Sequence, residues 1–183
     1  FLNAKQIYIT PNTDTALMLS LAYLLIVAKK YDQKFIEKYT NGFNEFKSYV
    51  LGEKNNQPCT PEWASNITSV PVEIIKWLAE EISTNKTMLS ISWSLQRASA
   101  GEQPLWMGIT LASMLGHIGT EGGGIGFGYS SVNSTGDVFK KIPWKSLPQG
   151  INKIKDFIPV ARITDMLEKP NKIFQYNGNK LKY

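Results

Sequence analysis

Trp93, Ser94 and Arg97 fall within one run of five residues, and their types are suited to chemistry. An indole can wall a flat cofactor while its N–H donates a hydrogen bond, and a guanidinium can hold an anionic or strongly dipolar oxygen by charge-assisted hydrogen bonds. They follow Thr87-Met-Leu-Ser-Ile-Ser92, which reads as a strand with its carboxyl end at Trp93. Ligands of open α/β sheets bind outside the carboxyl ends of strands, so this loop is the first candidate site. Each residue also has a plainer use: a tryptophan after a strand can be core, and an arginine one turn on can pair with a surface acid.

Asn12-Thr13-Asp14 form a second cluster, after the β-branched and aromatic run Gln6-Ile-Tyr-Ile-Thr10, which stops at Pro11 and reads as a strand followed by a turn. A carboxylate at a strand end can accept two hydrogen bonds from the N1–H and N2 amino group of a guanine, a pair that adenine does not offer in that geometry. Asn12 and Thr13 add polar contacts from the same loop. A local use competes: Thr13 or Asp14 is suited to accept hydrogen bonds from the free N–H groups of the helix that follows. The local sequence admits both.

Helices must hold these loops in place. The apolar run Ala16 to Ala28 reads as a buried helix, too short and interrupted by Ser20 for a membrane span. Two short amphipathic segments, around Phe35-Ile36-Tyr39 and Phe43 to Leu51, are divided at Asn41-Gly42. Thr60-Pro-Glu62 is a helix start with an N-cap threonine and a proline in the first turn. Ile75, Leu78, Ala79 and Ile82 mark the inner face of a further helix beginning near Pro71. Another, roughly Gln103 to Gly116, is apolar nearly all round. Two strand–loop–helix units therefore bracket a helical middle. After Gly119 a glycine-rich and then proline-containing irregular stretch follows, with a last amphipathic piece at Val160 to Leu167 and a polar tail. The abrupt opening and the lack of a closing element suggest an excerpt of a longer polypeptide.

Several chemistries are disfavoured. The glycine run lacks the lysine and hydroxyl of a P-loop and follows a helix instead of preceding one, so it reads as a helix cap and a flexible, closely packed loop. His117 is the only histidine, which excludes a histidine-based triad or multi-histidine metal cluster and leaves it a structural role. No carboxylate spacing argues for a paired acid and base. Cys59, the only cysteine, excludes an internal disulfide framework and reads as a bystander in a loop. At 183 residues the chain fits one domain, and its net charge of +5 comes from lysines scattered along it without a basic stripe interleaved with aromatics. A solvated basic surface is expected, with no nucleic-acid partner and no membrane insertion.

Seven ordered blocks carry a resemblance. Pro11-Asn-Thr-Asp-Thr-Ala-Leu-Met-Leu, Thr60-Pro-Glu-Trp-Ala64, Ser92-Trp-Ser-Leu-Gln-Arg97, Gly101-Glu-Gln-Pro-Leu-Trp-Met107, Leu115-Gly-His-Ile-Gly-Thr-Glu-Gly-Gly-Gly-Ile-Gly-Phe127, Ser146-Leu-Pro-Gln-Gly150 and Phe157-Ile-Pro-Val-Ala-Arg-Ile163 resemble the dimethyl sulfoxide reductase family of molybdopterin oxidoreductases. The nearest members resemble its trimethylamine N-oxide, dimethyl sulfoxide and biotin sulfoxide reductases.

The resemblance implies a bis(molybdopterin guanine dinucleotide) molybdenum cofactor held between two α/β domains of a large catalytic subunit. The expected fold is α/β, a Rossmann-like open sheet flanked by helices, forming one cofactor-binding domain of a larger multidomain molybdoenzyme. Residues 1–183 would be part of that domain, with a helical insertion at about 32–84 and an irregular glycine- and proline-rich segment at about 119–159. By the family pattern Asn12, Thr13 and Asp14 match contacts to a guanine dinucleotide, and Trp93, Ser94 and Arg97 match cofactor contacts at the active-site funnel. Trp93 and Arg97 are the expected catalytic residues, with Arg97 polarising or positioning the N–O or S–O oxygen.

The implied reaction is oxygen-atom transfer from an N-oxide or S-oxide to reduced molybdenum. The metal ligand, a serine in these reductases, belongs to a domain outside this chain, so the chain alone should be inactive. Its implied partners are the small N-oxide or S-oxide, the remaining domains of the same polypeptide, and an electron donor such as a c-type cytochrome or a cytoplasmic reductant. The resemblance favours the periplasm and admits the cytoplasm. Two other classes are kept beside it: a nucleotide-binding or structural domain without the redox cofactor, and a nicotinamide-linked dehydrogenase. The latter is disfavoured because no dinucleotide fingerprint follows a strand.

Overall fold

A computed structural model describes residues 4–127, 145, 147–148, 150–151, 153, 157–176 and 178–182. The chain forms two compact units, Phe1–Phe139 and Lys140–Tyr183.

The first unit is built around α1 (Asp14–Val27), in which Leu19, Ser20, Leu21 and Ala22 are buried in succession. Four consecutive buried positions span every side of a 3.6-residue helix, so α1 must be enclosed. It is enclosed by α3 (Phe43–Val50), α4 (Pro61–Thr68), α5 (Val72–Thr84) and α6 (Glu102–Leu115). The short α2 (Gln33–Tyr39) packs on α6, starting where Asp32 Oδ1 accepts the Phe35 N–H at 2.8 Å. The expected break divides α2 from α3 at Gly42, and Thr60 caps α4 by accepting the Trp63 N–H at 3.2 Å. Ile75, Ala79 and Ile82 are buried on α5 while Glu73, Lys76 and Glu80 are exposed, as the periodicity predicts.

The strands are fewer than the sequence suggests at one end and more at the other. Residues 6–10 form no strand; Ile7 and Ile9 pack on the core, and the Thr10 N–H donates to the Thr68 carbonyl at 2.9 Å. Alternating apolar residues give the segment an inner face, but a strand also needs a hydrogen-bonding neighbour, and none pairs with it among the described residues. Conversely, the glycine run contains β2 (Gly124–Phe127), paired in parallel with β1 (Met88–Ile91) in the register Met88↔Gly124 to Ile91↔Phe127. Helix α6 lies directly on this pair. A Cβ on Gly108 would stand 2.1 Å from Ile91 Cδ1, so the approach depends on the absent side chain. Residues 128–144, within the irregular stretch, lie outside the described residues.

His117 has the structural role expected of it: its Nδ1 accepts the Thr87 N–H at 3.1 Å and fixes the start of β1 beyond the end of α6. Cys59 is buried in the core, not merely set in a loop, and burial pushes its thiol pKa up. No helix among the described residues is long and apolar enough to cross a membrane.

The second unit carries α7 (Ile163–Glu168) and, where a polar tail was expected, an antiparallel hairpin of β3 (Ile173–Tyr176) and β4 (Asn179–Lys182). Arg162 pairs with Asp165 at 2.9 Å and lies over the Phe174 ring, while Phe157 meets Tyr176 edge-on.

Deleting core volume and deleting a cap should be separable in this fold. Leu111→Ala is expected to cost about 2–5 kcal/mol, because Leu111 is fully enclosed, and Thr60→Ala about 1 kcal/mol. Urea unfolding of both variants checks the order; equal losses would contradict the assigned packing.

Candidate functional site

Two loops, more than eighty residues apart in sequence, meet at one cleft. Asn12, Asp14 and Thr15 from the start of α1 face Leu95, Ala98, Ser99, Ala100, Gly101, Gln103 and Pro104, which lead into α6, around a space of about 240 Å³. The first loop is tethered from below: beside the backbone bond to Thr68, Thr10 Oγ1 and Ser69 Oγ share a hydrogen bond of 3.0 Å. The second is a 3₁₀ turn over Trp93–Gln96, entered from β1 through Ser92, whose hydroxyl accepts the Ser94 N–H at 3.3 Å and bonds Ser94 Oγ at 2.9 Å.

Gly101 closes that loop onto the turn. A Cβ there would stand 2.3 Å from the Gln96 carbonyl oxygen, so the chain returns too tightly for any side chain. Ala100, just before it, holds a left-handed backbone at φ 55°. A non-glycine residue in that region is unfavourable by of order 1–3 kcal/mol and persists only where its surroundings enforce it.

Neither helix start is capped by its own side chain. Thr13 occupies the N-cap position of α1, but its hydroxyl donates backward to the Thr10 carbonyl at 2.6 Å, so the expected cap does not form. Asp14 is the first residue of α1, half-buried, and accepts no hydrogen bond from the described residues. Gly101, at the N-cap of α6, has no side chain to offer. First-turn N–H groups left without a side-chain acceptor, reinforced by the helix dipole, favour anionic and carbonyl oxygens.

The other predicted residues lie along the same turn without lining this cleft. Trp93 stacks obliquely on Phe127, with ring centroids 5.6 Å apart, and its Nε1 is buried without a hydrogen-bond partner among the described residues. Leaving such a donor unpaired costs about 1–3 kcal/mol, so it is a position at which a bound acceptor would be favoured. Ser94 and Arg97 are exposed, and the Arg97 guanidinium has no acid or carbonyl partner among the described residues. Asn12 and Asp14 are thus gathered with the 95–104 loop, Trp93 is gathered with β2, and Arg97 faces solvent between them in sequence.

Thr15, Ser99 and Gln103 are cleft residues that sequence reasoning missed. They sit in or beside quoted motif blocks, but no residue-type pattern singled them out. A larger cleft, about 390 Å³, lies between α2 and α3 and contains none of the predicted residues. Among the described residues no three His, Cys, Asp or Glu side chains gather into a metal-binding group.

Comparison with known proteins assigns the class. The sequence pattern of the molybdopterin oxidoreductase family matches residues 2–177, so the chain belongs to that family. It is 43% identical over 175 residues to biotin sulfoxide reductase of Cereibacter sphaeroides, covering 96% of this chain and 24% of the relative. It is 40% identical over 198 residues to dimethyl sulfoxide/trimethylamine N-oxide reductase of Rhodobacter capsulatus, covering 100% of the chain and 24% of the relative. It is also 42% identical to trimethylamine-N-oxide reductase of Haemophilus influenzae, over 100% of the chain and 23% of the relative. The chain therefore spans about a quarter of the length of these curated relatives.

Gly101→Ala should force the start of α6 away from the 93–97 turn. The expected destabilisation is about 1–3 kcal/mol, the usual cost of overpacking, read by urea unfolding. A variant as stable as the parent would show that the loop does not close this tightly.

Proposed function

We propose that this chain is the part of a molybdenum oxidoreductase that holds a guanine dinucleotide end of a bis(molybdopterin guanine dinucleotide) cofactor and contributes to the funnel where an N-oxide or S-oxide is reduced. The reading rests on the convergence of two helix starts without side-chain caps, one carrying the Asp14 carboxylate, which has no partner among the described residues, on a single cleft. The relatives, named as biotin sulfoxide, dimethyl sulfoxide and trimethylamine N-oxide reductases, supply the substrate class.

The residues present fit such a group. A cleft of about 240 Å³ is below the roughly 300–1,000 Å³ of a pocket that takes a whole drug-sized ligand, which suits one end of a long cofactor. Asp14 accepts from the N1–H and amino group of guanine, Asn12 and Thr15 add polar contacts, and the free N–H groups at the two helix starts meet oxygens of the dinucleotide. Thr13 serves by fixing the loop through Thr10, a positioning role. The buried Trp93 N–H donates to a cofactor acceptor, and Ser94 and Arg97 extend the same polar edge toward the substrate.

When bound, the cofactor supplies two-electron oxygen-atom chemistry at its metal. Arg97 then holds the polar N–O or S–O oxygen by charge-assisted hydrogen bonds, and Trp93 walls the site with its ring braced on Phe127. The domain is a Rossmann-like open sheet in the complete protein: the parallel pair β1–β2, covered by α6, is its nucleus, and all-parallel sheets are covered on both faces. The metal ligand and the electron donor, a c-type cytochrome or a cytoplasmic reductant, lie outside these residues, and the periplasm is the favoured compartment.

Two substitutions in the complete protein separate the roles. Asp14→Ala is expected to lower the guanosine monophosphate released per polypeptide, with loss of activity following loss of cofactor. Arg97→Ala should leave cofactor content intact and reduce kcat/KM by roughly 10- to 200-fold, as expected for a charge-assisted hydrogen bond of about 1.5–3 kcal/mol. Unchanged cofactor in the first and unchanged kinetics in the second would overturn these assignments.

A further inference from the structure

Two asparagines in the sequence are followed by glycine, Asn41 and Asn177. Asn177 lies outside the described residues, whereas Asn41 and Gly42 form the exposed break between α2 and α3. Helix α2 ends with the Thr40 N–H on the Ile36 carbonyl at 3.0 Å, and α3 begins with the Phe46 N–H on the Gly42 carbonyl at 3.1 Å. Between these bonds, the Asn41 side-chain amide and the Gly42 N–H have no hydrogen-bond partner among the described residues. Clefts of about 390 and 300 Å³ flank the pair, and Asn41 and Gly42 line both, so water reaches the pair from two sides.

Asparagine is thermolabile because the main chain that follows it can attack its side chain. The attack needs a free, unhindered nitrogen on the next residue and a side-chain amide that nothing holds away from it. Gly42 has no Cβ to obstruct the approach, and its φ of 81° is a conformation open to glycine. A Cβ built there would come no closer than 4.0 Å to any neighbour, in this case Glu45 Oε2, so nothing packs over the pair. Elsewhere one of these conditions fails. Asn12 precedes the β-branched Thr13, and Asn56 precedes Gln57, whose N–H donates to Asn55 Oδ1 at 3.2 Å. Asn85 Nδ2 donates to the Glu81 carbonyl at 3.0 Å.

We infer that Asn41 is a self-modifying site, at which the folded chain converts asparagine to aspartate and isoaspartate with water as the only co-reactant. The Gly42 nitrogen, having lost its proton, attacks Asn41 Cγ. The N–Cγ bond forms, the Cγ–Nδ2 bond breaks, and ammonia leaves carrying a proton in place of the one Gly42 lost, which closes a cyclic imide. Water then opens the ring, its hydroxyl going to a carbonyl carbon and its hydrogen to the nitrogen. Opening at Cγ gives aspartate on an ordinary main chain, and opening at the main-chain carbonyl carbon reroutes the chain through Cβ and Cγ as isoaspartate. No atom is oxidised or reduced. Either product sets a new carboxylate in the cleft that Glu37 and Glu45 line. Isoaspartate also lengthens the link between α2, which packs on α6, and α3, which packs on α1.

Incubation of the complete folded polypeptide in mildly alkaline buffer, followed by tryptic mapping of the peptide of residues 39–47, tests it. Isoaspartyl methyltransferase with labelled S-adenosylmethionine is the probe for isoaspartate. Fragment masses are expected to place the difference between an OH and an NH2 group on residue 41 and not on Asn44. The folded protein is expected to convert within several-fold of the rate of the same peptide released by digestion, and Asn41→Gln to lose the methyl label from this peptide. Conversion of the released peptide while the folded chain keeps its asparagine would overturn the inference, because the fold would then shield the pair. Conversion at residue 44 instead, or a methyl label in this peptide of Asn41→Gln equal to the parent's, would overturn it as well. Neither readout involves cofactor or activity, so an unchanged Asn41 in cofactor-loaded protein would sink this inference and leave the proposed function standing. Conversion in protein lacking molybdenum would do the reverse.

Discussion

Enclosure of α1 is the constraint on which the first unit depends. A helix buried on every side cannot lie on a surface, and here it is surrounded by α3, α4, α5 and α6. Burial of apolar side chains at about 25 cal/mol per Å² drives that arrangement without specifying any site. A geometric consequence follows. With α1 packed against α6, and each helix entered through a loop held close by Ser69 or Gly101, the two helix starts open on the same cleft.

The chemistry of that cleft comes from what its residues leave undone. At the two helix starts Thr13 spends its hydroxyl on the preceding turn, Gly101 has none, and Asp14 accepts no hydrogen bond from the described residues; beside the cleft and not lining it, Trp93 keeps a buried donor without a partner among the described residues. Buried polar atoms are usually paired; Trp93 Nε1 on this turn has no partner among the described residues, as is so of Ser20 Oγ in α1 and Arg162 Nε, whereas no such atom belongs to a residue lining the larger α2–α3 cleft. There Asp32 caps α2 and Gln33 donates to Glu37 at 2.7 Å, the ordinary bonding of a solvated surface.

Helices were legible in the sequence because their signals are local. The run of apolar residues in α1, the Thr60-Pro61 start of α4 and the 3.6-residue spacing of α5 each lie within a few turns of chain. Strands were less legible because pairing is a non-local fact. Residues 6–10 carry the alternation of a strand and have no pairing strand among the described residues, whereas Gly124–Phe127 looks like a glycine-rich loop until β1 is placed beside it. The terminal hairpin had a local signal, Asn177-Gly178 between Tyr176 and Asn179, which the polar composition of the tail obscured. Of the residues lining the candidate cleft, Asn12 and Asp14 could be picked by type and position. The loss of the Thr13 cap turns on a bond to the Thr10 carbonyl that residue type does not reveal, and the placing of Thr15, Ser99 and Gln103 at one cleft depends on how two distant loops meet, which spacing along one chain does not encode.

The most direct test of the central claim, that the cleft at the starts of α1 and α6 serves a guanine dinucleotide cofactor, is the molybdenum content of the complete protein together with the guanosine monophosphate released from it by acid hydrolysis. The protein should come from a host that makes the cofactor. The account predicts about two guanosine monophosphates for each molybdenum, as a bis-dinucleotide cofactor requires. Folded protein containing neither molybdenum nor guanosine monophosphate would contradict it and leave a domain that kept the architecture without the chemistry.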